Sequence, residues 1–483
     1  MSDRHKRPNL SKSIIYNLIL TVSGYIFPIL TFPYVTRILG PESYGMANYV
    51  LGIVDYAVLL STLGIGTIGV REIAKCNGDE KKMNTVFSSL LSLHLILALF
   101  ILFVYLINVF AVGQFRVNYQ AYLIGLIKIL ANVFLIEWLY EGMQDFRYIT
   151  IRSIVIKLLY VIAVFIFIRS PQDYIVYILL SVLLFLVNAI INWRKSKQLV
   201  SFQFSFSGIR QYFGPAFSVG LNSILLSFYG TFIVLYLGLI NGNTSVGYYT
   251  TATKLYAILL SVLSAFNGGL MPYINSLYGR GDQQAMKEAI SKSLNLVLMF
   301  SIPVATYGLL MADDIITIIA GPEYSNSIIP FKIIIFNIIL VGVSQVTELQ
   351  VLLTINKTRQ ILFCTGISVV GSVLIMVLFT PRYAEISAAY AVMIPHVLEA
   401  ILLYYFAKKG MDFLFPWRSF SLYIVDSFFM ILILLIIRNV CDGVIIRVLL
   451  SIISFFAYIM VLFIVKEPMA ELLKQKAKNF FDI

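Results

Sequence analysis

Apolar residues form one helix-length run after another from Ser11 to Val465, and the polar breaks between the runs are short. A bilayer core is about 30 Å thick, so a helix of roughly 20 apolar residues crosses it. The pattern therefore predicts an all-α integral membrane protein with about fourteen transmembrane helices. The predicted spans are 11–36, 44–70, 85–112, 120–141, 153–168, 175–193, 213–239, 248–272, 291–312, 330–353, 361–380, 386–407, 419–437 and 446–465.

Composition excludes a soluble protein and argues against an enzyme. Hydrophobic residues make up 59% of the 483 residues and charged residues 12%, with a mean hydropathy of +0.88. A soluble domain of this size needs a polar shell that such a composition lacks. No segment between spans is much longer than about 20 residues, which is too short for a soluble catalytic domain. Since no nucleotide-binding or zinc-protease motif is present either, the sequence predicts a transporter with no catalytic residue.

The net charge of +12 is a signal of topology. Lysines and arginines concentrate on the face that an even number of spans gives to both termini, as at Lys81 and Lys82, while the other face keeps mainly single arginines. This bias predicts cytoplasmic termini and needs no nucleic acid partner to explain it. The three cysteines, Cys76, Cys364 and Cys441, lack paired or metal-like spacing, so no disulfide, metal or cofactor is expected.

An internal repeat predicts two lobes. Gly45 and Gly247 each lie at the opening of a span, and Gly78 and Gly281 each lie at the start of an inner loop, with 202 to 203 residues between the members of each pair. A repeat with this constant offset and the same orientation implies two parallel six-helix lobes. The predicted segments are a first lobe at 1–193, a cytoplasmic linker at 194–212, a second lobe at 213–407, helices 13 and 14 at 408–465, and a cytoplasmic tail at 466–483.

Ionisable residues inside spans are costly and are therefore candidates for function. The clearest are Asp55, Lys128, Glu137, Lys157, Lys254, Glu348, Glu399 and Asp426, with Arg37 and Glu141 near span ends. The cations lie deeper than the glutamates, which suits an anionic substrate. The candidate substrate-binding residues are Arg37, Lys128 and Lys254, with Asn48 and Asp55 on one face of the second span. In the alternative, Lys128 and Lys254 pair with Asp55, Glu399 or Asp426 and hold helices together.

Other intramembrane residues suggest moving parts. Glu137, Glu141 and Glu348 lie toward cytoplasmic ends and are candidates for an inner gate or for ion coupling; a gate would pair them with Arg147 or Arg359. Pro28 and Pro33 in the first span are candidate hinge residues, because proline removes a helical hydrogen bond, although they could serve packing alone. His94 and His396 are expected to form hydrogen bonds between helices rather than to carry protons.

The stretch from Phe32 to Gly45, FPYVTRILGPESYG, resembles the first-loop signature of polysaccharide flippases of the Wzx type, which belong to the multidrug/oligosaccharidyl-lipid/polysaccharide (MOP) exporter superfamily. Supporting stretches are WLYEG at 138–142, VGYY at 246–249, MPY at 271–273 and GPEY at 321–324. Together they span most of residues 11–410. The predicted span count and the two-lobe repeat agree with that superfamily.

The resemblance implies a flippase of the bacterial inner membrane. It would move undecaprenyl-diphosphate-linked oligosaccharide repeat units from the cytoplasmic to the periplasmic leaflet by alternating access. It also implies a groove for the lipid tail beside spans 13 and 14, contacts with membrane lipids, and a glycan polymerase and a chain-length regulator as partners. Superfamily members with lipid-diphosphate substrates use cations in the first, second and eighth helices. In this sequence Arg37 lies in the first helix and Lys254 in the eighth. The second helix differs, because it offers Asp55 and an interfacial Arg71.

Three alternatives differ in what they require. A multidrug exporter of the same superfamily needs an acidic and aromatic cavity rather than a cationic one. A membrane-embedded glycan polymerase or ligase typically carries a large periplasmic loop, which this sequence lacks. A scaffold for glycan-assembly enzymes would function without lumenal charges.

The charge asymmetry generates a test of topology. In a background without the native cysteines, single cysteines at positions 243 and 325 should react with a membrane-impermeant reagent added from the periplasm, whereas cysteines at 79 and 284 should react only after permeabilisation. Reaction of positions 243 and 79 from the same side would contradict the fourteen-span topology.

Overall fold

The computed structural model describes residues 10–116, 118–471 and 474, and the elements within these residues are helical, with no strand among them. The chain divides into two compact units, the first ending at Gly247 and the second beginning at Tyr248. The lobe, linker and tail boundaries expected from the sequence stay a prediction, and most of the expected tail lies outside the described residues.

The first unit contains ten helices and the first turn of an eleventh. They are α1 Leu10–Thr62, α2 Ile65–Lys75, α3 Glu80–Ala111, α4 Gly113–Arg116, α5 Tyr119–Leu135, α6 Glu137–Gly142, α7 Phe146–Phe167, α8 Tyr174–Ser196, α9 Phe206–Ser227 and α10 Thr231–Asn241.

The second unit contains the rest of α11 and seven further helices in its described part. They are α11 Asn243–Gly279, α12 Gln283–Leu310, α13 Ala312–Ile319, α14 Ile328–Ile334, α15 Asn337–Gln345, α16 Thr358–Gly410, α17 Trp417–Val440 and α18 Val444–Ile464. A 3-10 segment, Pro322–Ser327, precedes α14, and a π-helical segment, Val346–Leu352, follows α15.

The number of spans agrees with the sequence prediction. Ten of the described helices are long and apolar enough to cross a membrane, and two bent helix pairs, with bends of 49° and 42°, raise the number to 12. Two of the ten, α1 and α16, have 53 residues each and are interrupted by non-helical backbone at Gly40 and Ala384. A helix of that length extends about 80 Å and can cross twice, so counting both crossings gives about fourteen spans. The prediction of an all-α multi-pass membrane protein is confirmed.

The sequence repeat corresponds to a structural repeat at helix starts. Gly40 (φ 69°, ψ 171°) and Gly242 (φ 82°, ψ 179°) have nearly the same backbone conformation, which a side chain would strain, and each directly precedes a helical segment. Asp79 and Asp282 both cap the next helix: the Asp79 carboxylate accepts hydrogen bonds from the amides of Lys81 and Lys82, and that of Asp282 from the amide of Ala285. The repeat therefore preserves the turns that start these helices.

The expected linker is held against α3. The Ser201 amide donates to the Asn84 side chain at 2.8 Å, and the amides of Gln203 and Ser205 donate to the hydroxyls of Ser88 and Ser92 at 3.0 Å. The three acceptors are four residues apart, so they lie on one face of α3. Alternate backbone amides of residues 201–205 thus donate to one face of α3.

The starts of two helical segments touch through their backbones within the first unit. A Cβ atom placed on Gly45 would lie 1.8 Å from the carbonyl oxygen of Asn243, and one on Gly247 would lie 2.0 Å from the carbonyl oxygen of Pro41. Because these neighbours are backbone atoms, a larger side chain cannot be accommodated by a rotamer change.

We expect Gly45→Ala to lower the free energy of unfolding by about 1–3 kcal/mol, since it forces the two segments apart. Gly66→Ala is the matched control, because a Cβ there meets nothing within 4 Å and alanine favours the helix. The measurement is the midpoint of thermal unfolding in detergent. Equal midpoints for the two variants would contradict the close approach.

Candidate substrate-binding and coupling sites

Lys128 is buried in α5 and forms an ion pair. Its Nζ lies 2.5 Å from Oδ1 of Asp55 on α1 and 4.2 Å from the centroid of the Phe185 ring on α8. The Lys128 side chain is 7% exposed, whereas that of Asp55 is 48% exposed. The alternative in which Lys128 pairs with Asp55 is thus what the structure shows. The carboxylate, rather than the ammonium group, is the member that an approaching ligand would meet.

The other candidate binding residues are less enclosed. Asn48 is half-buried, and its side-chain amide donates to the carbonyl of Tyr44 at 2.7 Å, within the same helix. Arg37 is exposed, three residues before the interruption at Gly40, and Lys254 is half-buried in α11. Their contact with a substrate stays a prediction.

The candidate hinge prolines do not interrupt the backbone. The φ and ψ values of α1 stay helical through Pro28 and Pro33, and the interruption falls at Gly40 instead. The hydroxyls of Thr31 and Thr36 donate to the carbonyls of Phe27 and Phe32 at 3.2 and 2.9 Å, and these bonds supplement the helical hydrogen bonds near the prolines. The hinge role stays a prediction.

The fourth span is broken at Ile136, whose backbone is left-handed (φ 35°, ψ 35°) between α5 and α6. Such a conformation is rare for a β-branched residue and occurs where surrounding contacts hold it. Asn192 of α8, fully buried, supplies them: its side-chain amide donates to the carbonyl of Leu135, and its backbone carbonyl accepts a 2.6 Å hydrogen bond from the Tyr140 hydroxyl. The break is therefore satisfied by a residue from a different span.

Glu137 follows this break and pairs with Arg152 of α7. The Arg152 side chain is 3% exposed. One of its terminal amino groups donates to Glu137, and the other donates to the side-chain oxygen of Asn192. The expected gate partner Arg147 is instead exposed. Arg152 lies one residue before the predicted span 153–168, a position that predicts a basic residue of the cytoplasmic face. The helix begins earlier, at Phe146, which places Arg152 inside the packed unit.

A cavity of about 220 Å³, lined by both polar and apolar residues, lies at the break within the first unit. In it the side-chain amide of Asn132 donates to the Thr62 hydroxyl at 2.7 Å and lies 3.3 Å from Nε2 of His94. Because an amide nitrogen donates, Nε2 of His94 accepts, which confirms the expected hydrogen bond between helices. The cavity is lined by Thr62, Ile65, Gly66, His94, Asn132, Leu135, Ile136, Glu137, Trp138 and Glu141.

Glu348 lies 211 residues after Glu137, close to the offset of the repeat, and it also falls in irregular helix. Glu348 falls within the π-helical segment Val346–Leu352, a form of helix that is frequent at functional sites. On neighbouring α16 the buried Glu399 accepts a 2.8 Å hydrogen bond from the Thr365 hydroxyl, and its Oε2 lies 4.0 Å from Nε2 of His396. Both units thus place a glutamate of the repeat where helical hydrogen bonding is interrupted.

Asn192, Asn267 and Gln345 are uncharged polar residues inside spans that the sequence pattern did not single out. In the second unit, the side-chain amide of Asn267 donates to Gln345 at 3.1 Å, and that of Gln345 donates to the Ser264 hydroxyl at 2.8 Å. Asn192 has the same kind of role in the first unit. The available signal was an asparagine or glutamine within an apolar run, since such side chains form hydrogen bonds between membrane helices.

The fold and the sequence have known relatives. The lipid II flippase MurJ in its inward closed conformation superposes with a TM-score of 0.72 at 14% identity, over 94% of this chain and 99% of that one. An outward-facing multidrug resistance MATE family transporter of the MOP superfamily gives a TM-score of 0.55 at 16% identity, over 83% of this chain and 96% of that one. The fold is therefore that of MOP superfamily transporters.

The sequence comparisons then give the family. The model described as polysaccharide biosynthesis protein matches residues 10–278, and the MatE model matches residues 218–378. A protein of Escherichia coli (strain K12) described as an O-antigen transporter is 25% identical over 413 residues, 83% of this chain and 97% of that protein. One of Haloferax volcanii described as a low-salt glycan biosynthesis flippase is 24% identical over 227 residues, 47% of this chain and 48% of that protein.

Since the first model covers more than half of the chain, the chain belongs to the polysaccharide biosynthesis protein family. The resemblance to flippases of the Wzx type within the MOP superfamily is confirmed.

The Glu137–Arg152 pair generates a test of the site. Arg152→Ala should lower the free energy of unfolding by about 1–3 kcal/mol, because it leaves the buried Asn192 and the partly exposed Glu137 without their partner. Arg147→Ala should change it by less than about 0.5 kcal/mol, since Arg147 is exposed. Thermal unfolding in detergent measures both. A larger loss for Arg147→Ala than for Arg152→Ala would assign the partner of Glu137 to Arg147.

Proposed function

We propose that the protein is a flippase that moves undecaprenyl-diphosphate-linked glycan repeat units from the cytoplasmic to the periplasmic leaflet of the bacterial inner membrane. One observation carries the proposal: the chain aligns with 97% of the length of a relative described as an O-antigen transporter. The lipid II flippase MurJ, whose name also states a lipid-linked substrate, has a similar fold over 94% of this chain. Transport of a lipid-linked glycan needs no covalent chemistry, and the relatives are named as transporters and flippases rather than as enzymes.

A diphosphate must find cations in a medium where water is scarce. Arg37 and Lys254 supply them in this proposal, and guanidinium groups favour phosphate because they bind it through two parallel hydrogen bonds. Lys128 is neutralised by Asp55 in this structure, so a diphosphate would have to compete with a carboxylate to reach it. We therefore assign Asp55 to holding Lys128 while no substrate is bound, and Asn48, seven residues away on the same helix face, to contact with the glycan.

The candidate moving parts are three glutamates and two prolines. Glu137, Glu141 and Glu348 act as an inner gate or as ion-coupling groups, and Pro28 and Pro33 let the first span bend between an inward-open and an outward-open state. The termini are cytoplasmic, as the positive charges favour. The lipid tail and the surrounding membrane lipids contact the apolar surface, and a glycan polymerase and a chain-length regulator receive the product.

A multidrug exporter is the second candidate, favoured by the match of the MatE model to residues 218–378. A deletion strain distinguishes the two functions. Loss of a glycan flippase should leave lipid-linked repeat units accessible only from the cytoplasmic side, with drug susceptibility unchanged. Increased drug susceptibility with normal surface glycan would assign the protein to drug export, and periplasmic repeat units that stay unpolymerised would assign it to polymerisation.

The cation hypothesis predicts that Arg37→Ala and Lys254→Ala each reduce surface glycan at least about tenfold at normal protein level, since a hydrogen bond to a charged group contributes about 1.5–3 kcal/mol. Arg37→Lys should restore export in part, because lysine keeps the charge but lacks the planar fork. Lys408→Ala, at an exposed position, is the control and should export normally. Full export by both alanine variants would overturn the hypothesis.

Asp55→Asn separates substrate binding from helix pairing. If Asp55 only holds Lys128 in the absence of substrate, the variant frees the ammonium group and should keep or increase export. If the pair is needed to hold α1 and α5 together, the same change should reduce protein level along with export.

A further inference from the structure

Asp426 on α17 is a buried carboxylate that the proposed function does not use. It is 2% exposed, and within the part of the chain that the structure describes neither of its carboxylate oxygens has a hydrogen-bond partner. It lies 8 residues from Arg418 and 12 from Arg438, which places those guanidinium-bearing positions about 12 and 18 Å away along the helix. The carboxylate is therefore far from the charged ends of its own helix.

The helices packed against α17 offer no cation at this level. These are α12 and α18, which with α17 surround a cluster that includes Leu298, Ile302, Tyr423, Tyr458 and Leu462. Lys287, Glu288 and Lys292 lie in the first turns of α12. Arg447 lies in the first turn of α18 and pairs with Asp314 at 2.7 Å. From 293 to 310 and from 448 to 464, these helices contain no lysine, arginine, histidine or acidic residue.

Tyrosine hydroxyls are the remaining titratable groups on these faces. The Tyr458 hydroxyl donates to the carbonyl of Met299 at 3.3 Å, and the Tyr423 hydroxyl donates to Glu467 at 2.9 Å. The Tyr307 hydroxyl, nearer the other end of α12, is 2.8 Å from the Ser451 hydroxyl. None of these hydrogen bonds involves Asp426.

Glu467, three residues after the end of α18, provides an internal comparison. It is also 2% exposed, but it accepts hydrogen bonds from the hydroxyls of Ser419 and Tyr423 and from the amides of Met469 and Ala470, at 2.7 to 3.3 Å. Four donors thus satisfy the oxygens of this buried carboxyl group. Asp426, equally buried, has none of this support.

Both ends of α17 are held by ion pairs or hydrogen bonds, so Asp426 lies inside a well-packed interface. Arg438 pairs with Asp313 at 3.0 Å and Arg447 with Asp314 at 2.7 Å, which ties one end of α17 and α18 to α13. At the other end, Ser419 and Tyr423 of α17 donate hydrogen bonds to Glu467, which follows α18. Between them, Ser427 next to Asp426 and Ser301 on α12 also bury hydroxyl oxygens without a hydrogen-bond partner. The middle of this interface therefore holds polar groups that water would stabilise.

An isolated ionised carboxylate in an apolar interior is much less stable than the neutral acid. We propose that Asp426 is a proton-binding site, protonated while α17 and α18 pack on α12, which gives up its proton when this interface opens to water. The proton then moves from the Asp426 carboxyl to water, and the ionised carboxylate keeps the interface open. Coupling of this step to glycan movement rests on the proposed function, whereas proton binding does not.

Infrared difference spectroscopy tests proton binding without any glycan. In purified protein at neutral pH, the wild type should show a C=O band of a protonated carboxyl group that Asp426→Asn lacks and that Glu467→Gln retains. Asp426→Leu provides the same subtraction if the asparagine variant is not stable. The Asp426 band should weaken as the pH rises, because deprotonation removes the acid form. Absence of this band in the wild type overturns the proposal.

A transport assay tests coupling separately. Asp426→Asn cannot release a proton and should reduce surface glycan at least tenfold at normal protein level, whereas Asp426→Glu should restore most of it. If the infrared band is present and Asp426→Asn exports normally, the coupling is overturned and the site is structural. A deletion strain that presents normal glycan contradicts the proposed function instead, and leaves the spectroscopic result unchanged.

Discussion

Backbone and side-chain polar groups inside a bilayer must find partners within the protein, because lipid offers none. In the first unit this requirement falls mainly on one asparagine. The side-chain amide of Asn192 donates to the carbonyl of Leu135 beside the break, and its side-chain oxygen accepts from Arg152. Its backbone carbonyl accepts from the Tyr140 hydroxyl. The Arg152 side chain that pairs with Glu137 also donates to this residue, which joins three spans at the point where one of them is not helical.

The same requirement distinguishes groups that hold the fold from groups that can change state. Arg152 and Glu467 are buried and hydrogen-bonded to several partners, so moving them would leave an unpaired charge. Lys128 is buried but shares its charge with a half-exposed Asp55, which water or a ligand can reach. Asp426 has no partner among the described residues. Candidates for motion are therefore those whose present partner is incomplete or exchangeable.

Hydropathy predicts the spans well because membrane insertion depends on local composition, and the repeat is visible because the turns at Gly40 and Gly242 need the same backbone conformation. The interior contacts are harder to predict. Asn192 bonds to Leu135, which is 57 residues away, and no local pattern marks that pairing. Likewise, the sequence offered Asp55, Glu399 and Asp426 as possible partners of Lys128. Only the packing of α5 against α1 selects Asp55. Charge is visible in a sequence, but the choice of partner is a property of the fold.

The irregular positions also explain why a repeat of six helices can serve transport. Glu137 and Glu348 occupy matching places in the repeat, yet one follows a left-handed residue and the other lies in a π-helical segment. The two units thus preserve an interruption and a carboxylate while differing in backbone form. A regular helix moves as a rod, whereas an interrupted one can change direction at a defined residue. Little hydrogen bonding is lost as long as side chains such as Asn192 keep their hydrogen bonds to the backbone at the break. The carboxylates of Glu137 and Glu348 thus lie at or directly beside the two interruptions, where such a change of direction would occur.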